Sequence, residues 1–413
     1  PARYYSKEFM DKEWETLWTR VWTIAGIASD IPEVGDYFTY DLLHESFIIV
    51  RVADGEDGIK GYYNVCGHRG NRLVQNEFGS VVDAFTCGFH SWSWNIDGSL
   101  KYIQDEESFH PDILSQAPDM VEVALDSVGG IIFINMDSNP QPLREFLGPV
   151  ADHMESFQVG KMHAVRHTRS QWAANWKTGV DAFYENYHMH AVHPETQTVI
   201  DDIGSQYDCY PNGMSRSITP IGRPSPHLPD STTVNDGLQG MLSDAGIEPK
   251  GFEGDAQQVR PAIWDAKREF AKKFGLDYEK LSDVQLTDSF VTGIFPYTQF
   301  GMHPEGAFLM RFLPHPDDPQ IFTYDNITLV RYVDDPNFKV PGWMGLPEGT
   351  DYTGKDRPDI EYKALGEPPE LGLVLDQDSH LLPTAQKGIR SRAFQGPLWC
   401  EQEQRLRHFH KEL

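Results

Sequence analysis

Cys66, His68, Cys87 and His90 fall in two short clusters, Cys-x-His and Cys-x-x-His, with eighteen residues between them. A thiolate suits zinc or iron–sulfur iron, and neutral imidazole suits zinc, copper or iron, so this mixture leaves two chemistries. A zinc finger segregates its ligands, two Cys followed by two His, around one helix. Here each cluster supplies one of each, among short β-like runs. That order fits a two-iron, two-sulfide cluster in which one iron takes both cysteines and the other both histidines. Such a cluster moves one electron at a time, so the rest of the chain should hold a site that uses the electron.

The candidate is NWKTGVDAFYENYHMHAVHP, residues 175–194, with His188, His190 and His193 just after Asp181 and Glu185. Non-heme Fe(II) that activates O2 takes two His and one carboxylate on one face and keeps open positions. On an ideal helix Glu185 and His188 share a face, His190 turns nearly opposite His188, and His193 lies about 140° around from it. A pair five apart therefore needs a distorted or ending helix, and Pro194 gives the helix a reason to stop. Spacing alone does not choose among the three histidines.

The elements that must position these residues change texture along the chain. Residues 6–22 place Phe9, Met10, Trp14, Leu17, Trp18 and Val21 at helical intervals, with Ser6 as N-cap, which predicts an amphipathic helix. From about Asp36 to Met136 short alternating runs between Gly, Asp and Asn predict a small all-β domain. A helix is expected over 262–274, a lid or variable insertion over 207–254, and strands again from Ser289 onward, which together make the second domain α+β. The 413 residues suffice for two or three domains. A net charge of −27, from 35 Lys and Arg against 62 Asp and Glu, repels phosphate backbones and anionic lipids, so neither nucleic acid nor a membrane is an expected partner. No apolar run reaches the ~20 residues of a membrane span and the first residues lack a signal core, so the expected location is cytoplasmic. Four scattered cysteines exclude a disulfide framework.

NVCGHRG, CGFHSWSWNIDGSL and the lead-in VWTIAGIASDIPEVGDYFTYDL closely resemble the corresponding segments of Rieske non-heme iron oxygenases, the ring-hydroxylating oxygenase α subunits. The likeness continues through Asn175-Trp176-Lys177, Glu185, His188 and His193 to LDQDSHLLPTAQKGIRS, where Asp378 stands eight residues before Gln386. It implies an α+β chain: an N-terminal helical segment, 1–35, packing on the catalytic domain, a small all-β Rieske domain over 36–150, and a larger catalytic domain over 151–413. The last should be helix-grip, START-like, an antiparallel sheet with helices. Cys66, His68, Cys87 and His90 would hold a [2Fe-2S] cluster. His188, His193 and Asp378 would hold mononuclear Fe(II), with Asp376 the runner-up to Asp378 and His190 a bystander. Glu185, Asn175 and Asp181 are the expected catalytic residues.

Glu185 would bridge the two metal centres between neighbours in a head-to-tail homotrimer (α3), a heterologous contact that closes as a ring. A β subunit, giving α3β3, stays open. Many ring dioxygenases carry Asp there, and Glu is familiar in relatives that act on quaternary amines. O2 would be the cosubstrate, with electrons from NAD(P)H through a separate reductase and/or ferredoxin docking near Arg69, Arg72 and Lys101. Val180, Phe183, Phe290, Ile294, Phe295, Phe300, Met302 and Phe308 are the expected pocket walls. That lining predicts an aromatic or bulky apolar substrate and ring dihydroxylation. The alternatives are a monooxygenase or O-/N-demethylase, including quaternary amine substrates, and, more remotely, a Rieske electron carrier without oxygenase activity.

Overall fold

A computed structural model describes residues 1–354 and 356–413. The chain divides into two units, Asp11–Glu145 and Pro1–Met10 with Phe146–Leu413. The expected boundaries at 35/36 and 150/151 therefore shift: residues 11–35 group with the smaller unit, because the strand Thr23–Ile27 pairs with Ile131–Asn135 of that unit.

The smaller unit is all-β in its core. Its strands are β1 (Thr23–Ile27), β2 (Asp36–Leu42), β3 (Glu45–Arg51), β4 (Ile59–Tyr63), β5 (Phe78–Ser80), β6 (Ala84–Thr86), β7 (Ser93–Asn95), β8 (Leu100–Tyr102), β9 (Ala124–Val128) and β10 (Ile131–Asn135). They form three sheets, ordered β1-β10-β9, β4-β3-β2-β5 and β6-β7-β8. The run IIFIN of β10 is buried at every position, as a continuous apolar strand should be. The helix expected over 6–22 is shorter. It runs Lys7–Glu13, widens into one π turn over Trp14–Trp18, and gives way to β1. Trp14 sets its ring edge-on to His44 at 5.0 Å and Trp18 is buried, so tertiary packing takes over from the helical period.

The larger unit is built on one eight-stranded sheet. Its strands are β11 (Met162–Trp172), β12 (Gln206–Cys209), β13 (Ser215–Thr219), β14 (Ser289–Ile294), β15 (Thr298–Met302), β16 (Gly306–Pro314), β17 (Phe322–Arg331) and β18 (Ile360–Lys363). The order is β12-β13-β14-β15-β16-β17-β11-β18, antiparallel throughout except that β18 runs parallel to β11. The expected lid over 207–254 is instead part of the scaffold. It supplies β13 and most of β12, then the helix Asp236–Asp244, whose Leu238 and Leu242 pack with Val259 and Ile263 of the helix Ala256–Phe274. Turn-rich composition hid two short strands, of which β13 turns the polar Ser215, Ser217 and Thr219 inward.

Helix Trp176–Phe183 lies on one face of this sheet. Gly179 is required there: a Cβ would come within 2.6 Å of the Phe312 ring and 2.9 Å of Phe322. Phe183 continues the contact, 5.1 Å from Phe312 and 5.5 Å from Tyr324 between ring centroids. The opposite face buries a charged cluster in which Asp325 meets Arg311, His167 at 2.5 Å and Arg169 at 2.9 Å. The Arg311 and Arg169 guanidiniums and the His167 ring outweigh the effect of burial and hold the Asp325 carboxyl well below its ordinary pKa.

Candidate metal centres

Both cysteine loops repeat one backbone device. Cys66 N–H donates to Asn71 C=O (2.7 Å) and Cys66 C=O accepts from Gly70 N–H (2.9 Å); Cys87 N–H donates to Trp92 C=O (2.8 Å) and its C=O accepts from Ser91 N–H (3.0 Å). The residue four past each cysteine takes a left-handed conformation, Gly70 at φ +77° and Ser91 at φ +61°. The loops are thus structural copies, each with Gly after its cysteine and with one residue more between the ligands of the second.

Each loop wraps N–H groups around its sulfur. Burial alone would raise the Cys87 thiol, but the Phe89 amide, the neighbouring Cys66 sulfur, the His90 amide and the Asn71 side chain bring it below its ordinary value. Such a surround favours thiolate, the form a metal needs. Both cysteines are buried and neither is in a disulfide. The His68 and His90 rings stand 4.7 Å apart, and His68 stacks on Trp92 at the same distance. His68 Nδ1 is buried with no hydrogen-bond partner. A buried ring nitrogen left open beside two thiols fits a metal-bound sulfur cluster. Of the expected docking patch, Arg72 pairs with Asp41 at 2.7 Å and Lys101 with Asp83, so two of its three charges are already matched. Arg69 lies over the exposed Phe89 ring.

The second centre is assembled in the larger unit from two helical regions far apart in sequence. After Phe183 the chain breaks helix, and His188 and His193 flank the single turn Met189–Val192, with Pro194 following. The interruption turns two histidines five apart toward one point. Asp378 reaches that point from the helix Leu373–Ile389, its Oδ1 at 3.2 Å from His193 Nε2 and 3.8 Å from His188 Nε2. The three donor atoms lie within 4.8 Å of one another.

Side-chain oxygens fix both imidazoles. Glu185 Oε1 holds His188 Nδ1 at 2.6 Å while its Oε2 accepts from the His188 backbone N–H at 3.0 Å. Gln377 Oε1 holds His193 Nδ1 at 2.6 Å. Both Nε2 atoms are thereby directed at one buried carboxylate, a donor set suited to Fe(II) with open positions. Burial opposes a charge on His193, but its hydrogen bonds to the Asp378 and Gln377 oxygens outweigh that and raise its pKa.

Asp376, the runner-up, instead ties down the chain that enters its own helix, its Oδ1 accepting from Leu371 N–H at 2.9 Å. His190 stands outside the triad, with its ring 5.0 Å from His227 in a group completed by Asp202. Two expected catalytic residues have other work. Asn175 is the N-cap of Trp176–Phe183, its Oδ1 accepting from Lys177 N–H and its amide donating to Pro319 C=O. Both Asp181 oxygens are engaged away from the triad, by Tyr4 at 2.6 Å and His410 at 2.8 Å. Polar residues near a histidine motif gave the same signal whether they cap, anchor or ligate.

Strand register corrects the expected pocket. Paired residues share a face, so Phe290 and Met302, Phe300 and Leu309, and Ile294 with Thr298 and Arg311 belong to the side bearing Arg311 and Asp325, away from Trp176–Phe183. Phe290 packs on Phe157 and Phe295 on Phe409. Of the expected set, Phe308 shares the helix-facing side with Phe312, and Val180 and Phe183 lie on the helix itself. The sequence reading missed Gln377, whose only signal is its place beside Asp378. It also missed the role of Gln386, which joins the Asp378-bearing helix to helix Trp176–Phe183, just upstream of the histidines, through Asn175 N–H (3.0 Å) and Thr178 Oγ1 (3.1 Å).

Residues 159–413 match the ring hydroxylating alpha subunit (catalytic domain) family, and residues 21–118 match the Rieske [2Fe-2S] domain. The glycine betaine monooxygenase oxygenase subunit of Pseudomonas aeruginosa is 29% identical over 192 residues, 46% of this chain and 44% of that protein. The carnitine monooxygenase oxygenase subunit of Escherichia coli strain K12 is 31% identical over 198 residues, 47% of this chain and 52% of the relative. The chain thus spans about half the length of the curated relatives it matches. In fold it resembles a quaternary ammonium Rieske monooxygenase in complex with L-carnitine, with a TM-score of 0.67 and 17% identity over 99% of this chain and 92% of the other. Naphthalene 1,2-dioxygenase from Rhodococcus sp. is similar too, with a TM-score of 0.65 and 20% identity over 100% and 92% of the two chains. No helix among the described residues is long and apolar enough to cross a membrane. With a catalytic-domain match over more than half its length, joined to a Rieske match that encloses all four cluster-type side chains, the chain belongs to the Rieske ring-hydroxylating oxygenase α-subunit family.

Proposed function

We propose that this chain is the oxygenase component of a Rieske monooxygenase acting on a methylated, quaternary-type amine. The observation that carries the oxygenase reading is the convergence of His188, His193 and Asp378, each imidazole oriented by its own side-chain oxygen. Cys66, His68, Cys87 and His90 hold the [2Fe-2S] cluster, and the triad holds mononuclear Fe(II), which when bound supplies the chemistry of O2 activation. The protein's part is to leave iron positions open, keep the imidazole tautomers fixed, and place the substrate carbon nearby. Electrons come from NAD(P)H through a separate reductase or ferredoxin. Glu185, bonded to His188, would link a neighbouring chain's cluster histidines to the triad, so the working form is a head-to-tail trimer.

The amine reading replaces ring dihydroxylation as the favoured one. Glycine betaine and carnitine monooxygenase subunits are among the relatives, and Glu185 is engaged with His188 through both carboxylate oxygens. The half-buried Phe183 ring can stabilise an ammonium by cation–π attraction, and the net charge of −27 favours approach of a cation. Biphenyl 2,3-dioxygenase subunit alpha of Rhodococcus jostii, 27% identical over 194 residues, keeps ring dihydroxylation as the second reading. Oxygen uptake by the iron-loaded protein with a reductase and NADH discriminates: trimethylammonium compounds should stimulate coupled uptake, and stimulation by biphenyl or naphthalene alone would favour the second reading.

A further inference from the structure

The sheet face that meets helix Trp176–Phe183 carries polar residues where apolar ones would pack. Gln299 of β15 pairs with Met310 of β16, Met310 with Asn326 of β17, and Asn326 with Thr168 of β11. These four side chains therefore form one cross-strand row on one face. Gln299 and Asn326 are 7% exposed and Thr168 is 3% exposed. Gln299 Oε1, Asn326 Oδ1 and Thr168 Oγ1 have no hydrogen-bond partner among the described residues. Buried polar groups are normally paired, and an unpaired set on adjacent strands is costly unless something is bound against it.

The row faces the iron-ligand region. Asn326 and Tyr324 are two residues apart on β17 and so share a face, as do Met310 and Phe312 on β16. Tyr324 and Phe312 are the rings that touch Phe183. Tyr324 is fully buried, its hydroxyl also lacks a partner, and it lies close enough to Asp378 to feel that carboxylate's charge. Two residues of strand set the polar row about 7 Å beyond that aromatic group.

We propose that Thr168, Gln299 and Asn326 anchor the polar end of the substrate through uncharged hydrogen bonds, while its methylated ammonium rests against the half-buried Phe183 ring. This deepens, and rests on, the amine reading above. Amide and hydroxyl groups can donate to a carboxylate or pair with a hydroxyl, and unlike an arginine they do not repel an ammonium a few bonds away. The substrate class is a trimethylammonium compound carrying a carboxylate or hydroxyl within about 7 Å of the nitrogen, the separation the strand spacing sets.

Isothermal titration of the iron-loaded protein under anaerobic conditions tests this with tetramethylammonium, choline and 4-(trimethylammonio)butanoate as probes. Asn326→Leu and Gln299→Leu should each weaken the carboxylate probe by about tenfold or more and leave tetramethylammonium within about twofold. Their thermal midpoints should equal or exceed the wild type, because an unpaired buried amide has been removed. Equal weakening of every probe, unchanged affinity for all of them, or a lowered midpoint without a change in binding would overturn the proposal. Failure of the wild-type protein to bind any ammonium probe while binding naphthalene would instead overturn the amine reading itself, and the anchor with it.

Discussion

At Cys66 and Cys87 the sulfur atoms are met by backbone N–H groups within two copies of one loop, whereas at His188 and His193 the ring nitrogens are held by side-chain oxygens of Glu185 and Gln377. The first centre draws its ligands from within twenty-five residues of chain; the second joins positions 188 and 378 through two helices tied together by Gln386. A backbone-built site depends on loop conformation and tolerates change in its flanking side chains. A site built from side chains depends on each outer partner, and such partners typically matter by 10–100-fold. The two regions should therefore fail in different ways.

The largest effects should separate the centres outright. Cys87→Ser should lose the cluster's visible absorption and about two irons per chain, and Asp378→Ala should lose about one and keep that absorption, both with activity at background. Iron analysis with absorption spectroscopy checks this, and loss of both sets from either substitution would break the distinction. Next, Glu185→Gln keeps a hydrogen-bonding shape but removes the charge. It should slow electron transfer from cluster to iron about 100-fold or more in rapid-mixing experiments, with iron content retained. Gln377→Leu frees His193 Nδ1 and should weaken iron binding about 10–100-fold in a chelator competition, with the cluster's EPR signal unchanged.

Acid should strike the larger unit. Burial lowers His167 and His303 to about 4 each. In the unfolded chain these groups take a proton near pH 6.5, so the stability from keeping them neutral is fully present above pH 6.5 and is lost as pH falls toward 4, by on the order of 3 kcal/mol for each. His303→Leu should flatten the decline of the melting temperature over that window; an unchanged slope would contradict it. The smallest effect sharpens the backbone side of the comparison. Gly70→Val puts a β-branched residue at φ +77° and should destabilise the cluster loop by about 1–3 kcal/mol, read by denaturant unfolding, without altering iron at the histidine site.

The same contrast explains what was legible in the sequence. The Cys-x-His and Cys-x-x-His clusters stand out because a contiguous loop carries its ligands at fixed spacing. Helix Ala256–Phe274 was visible as a local period, although its start at the Asp255–Gln258 capping box lay six residues before the expected one. Asp378 required a pattern spread over 200 residues. The pocket was misread because composition alone identifies apolar residues but not which face of a strand they occupy. Phe290, Ile294, Phe300 and Met302 point away from the helix, and the polar Gln299 and Asn326 point toward it. Asn175 and Asp181 lie near the ligands in sequence, yet a cap and an anchor on Tyr4 and His410 occupy them.

The most direct test is a single turnover of prereduced, iron-loaded protein under 18O2 with pooled trimethylammonium compounds and aromatic hydrocarbons, read by mass spectrometry. One labelled oxygen in a product derived from an ammonium compound, abolished in the Asp378→Ala variant, is the predicted result. Two labelled oxygens in a ring diol, or turnover that survives loss of Asp378, would contradict the account.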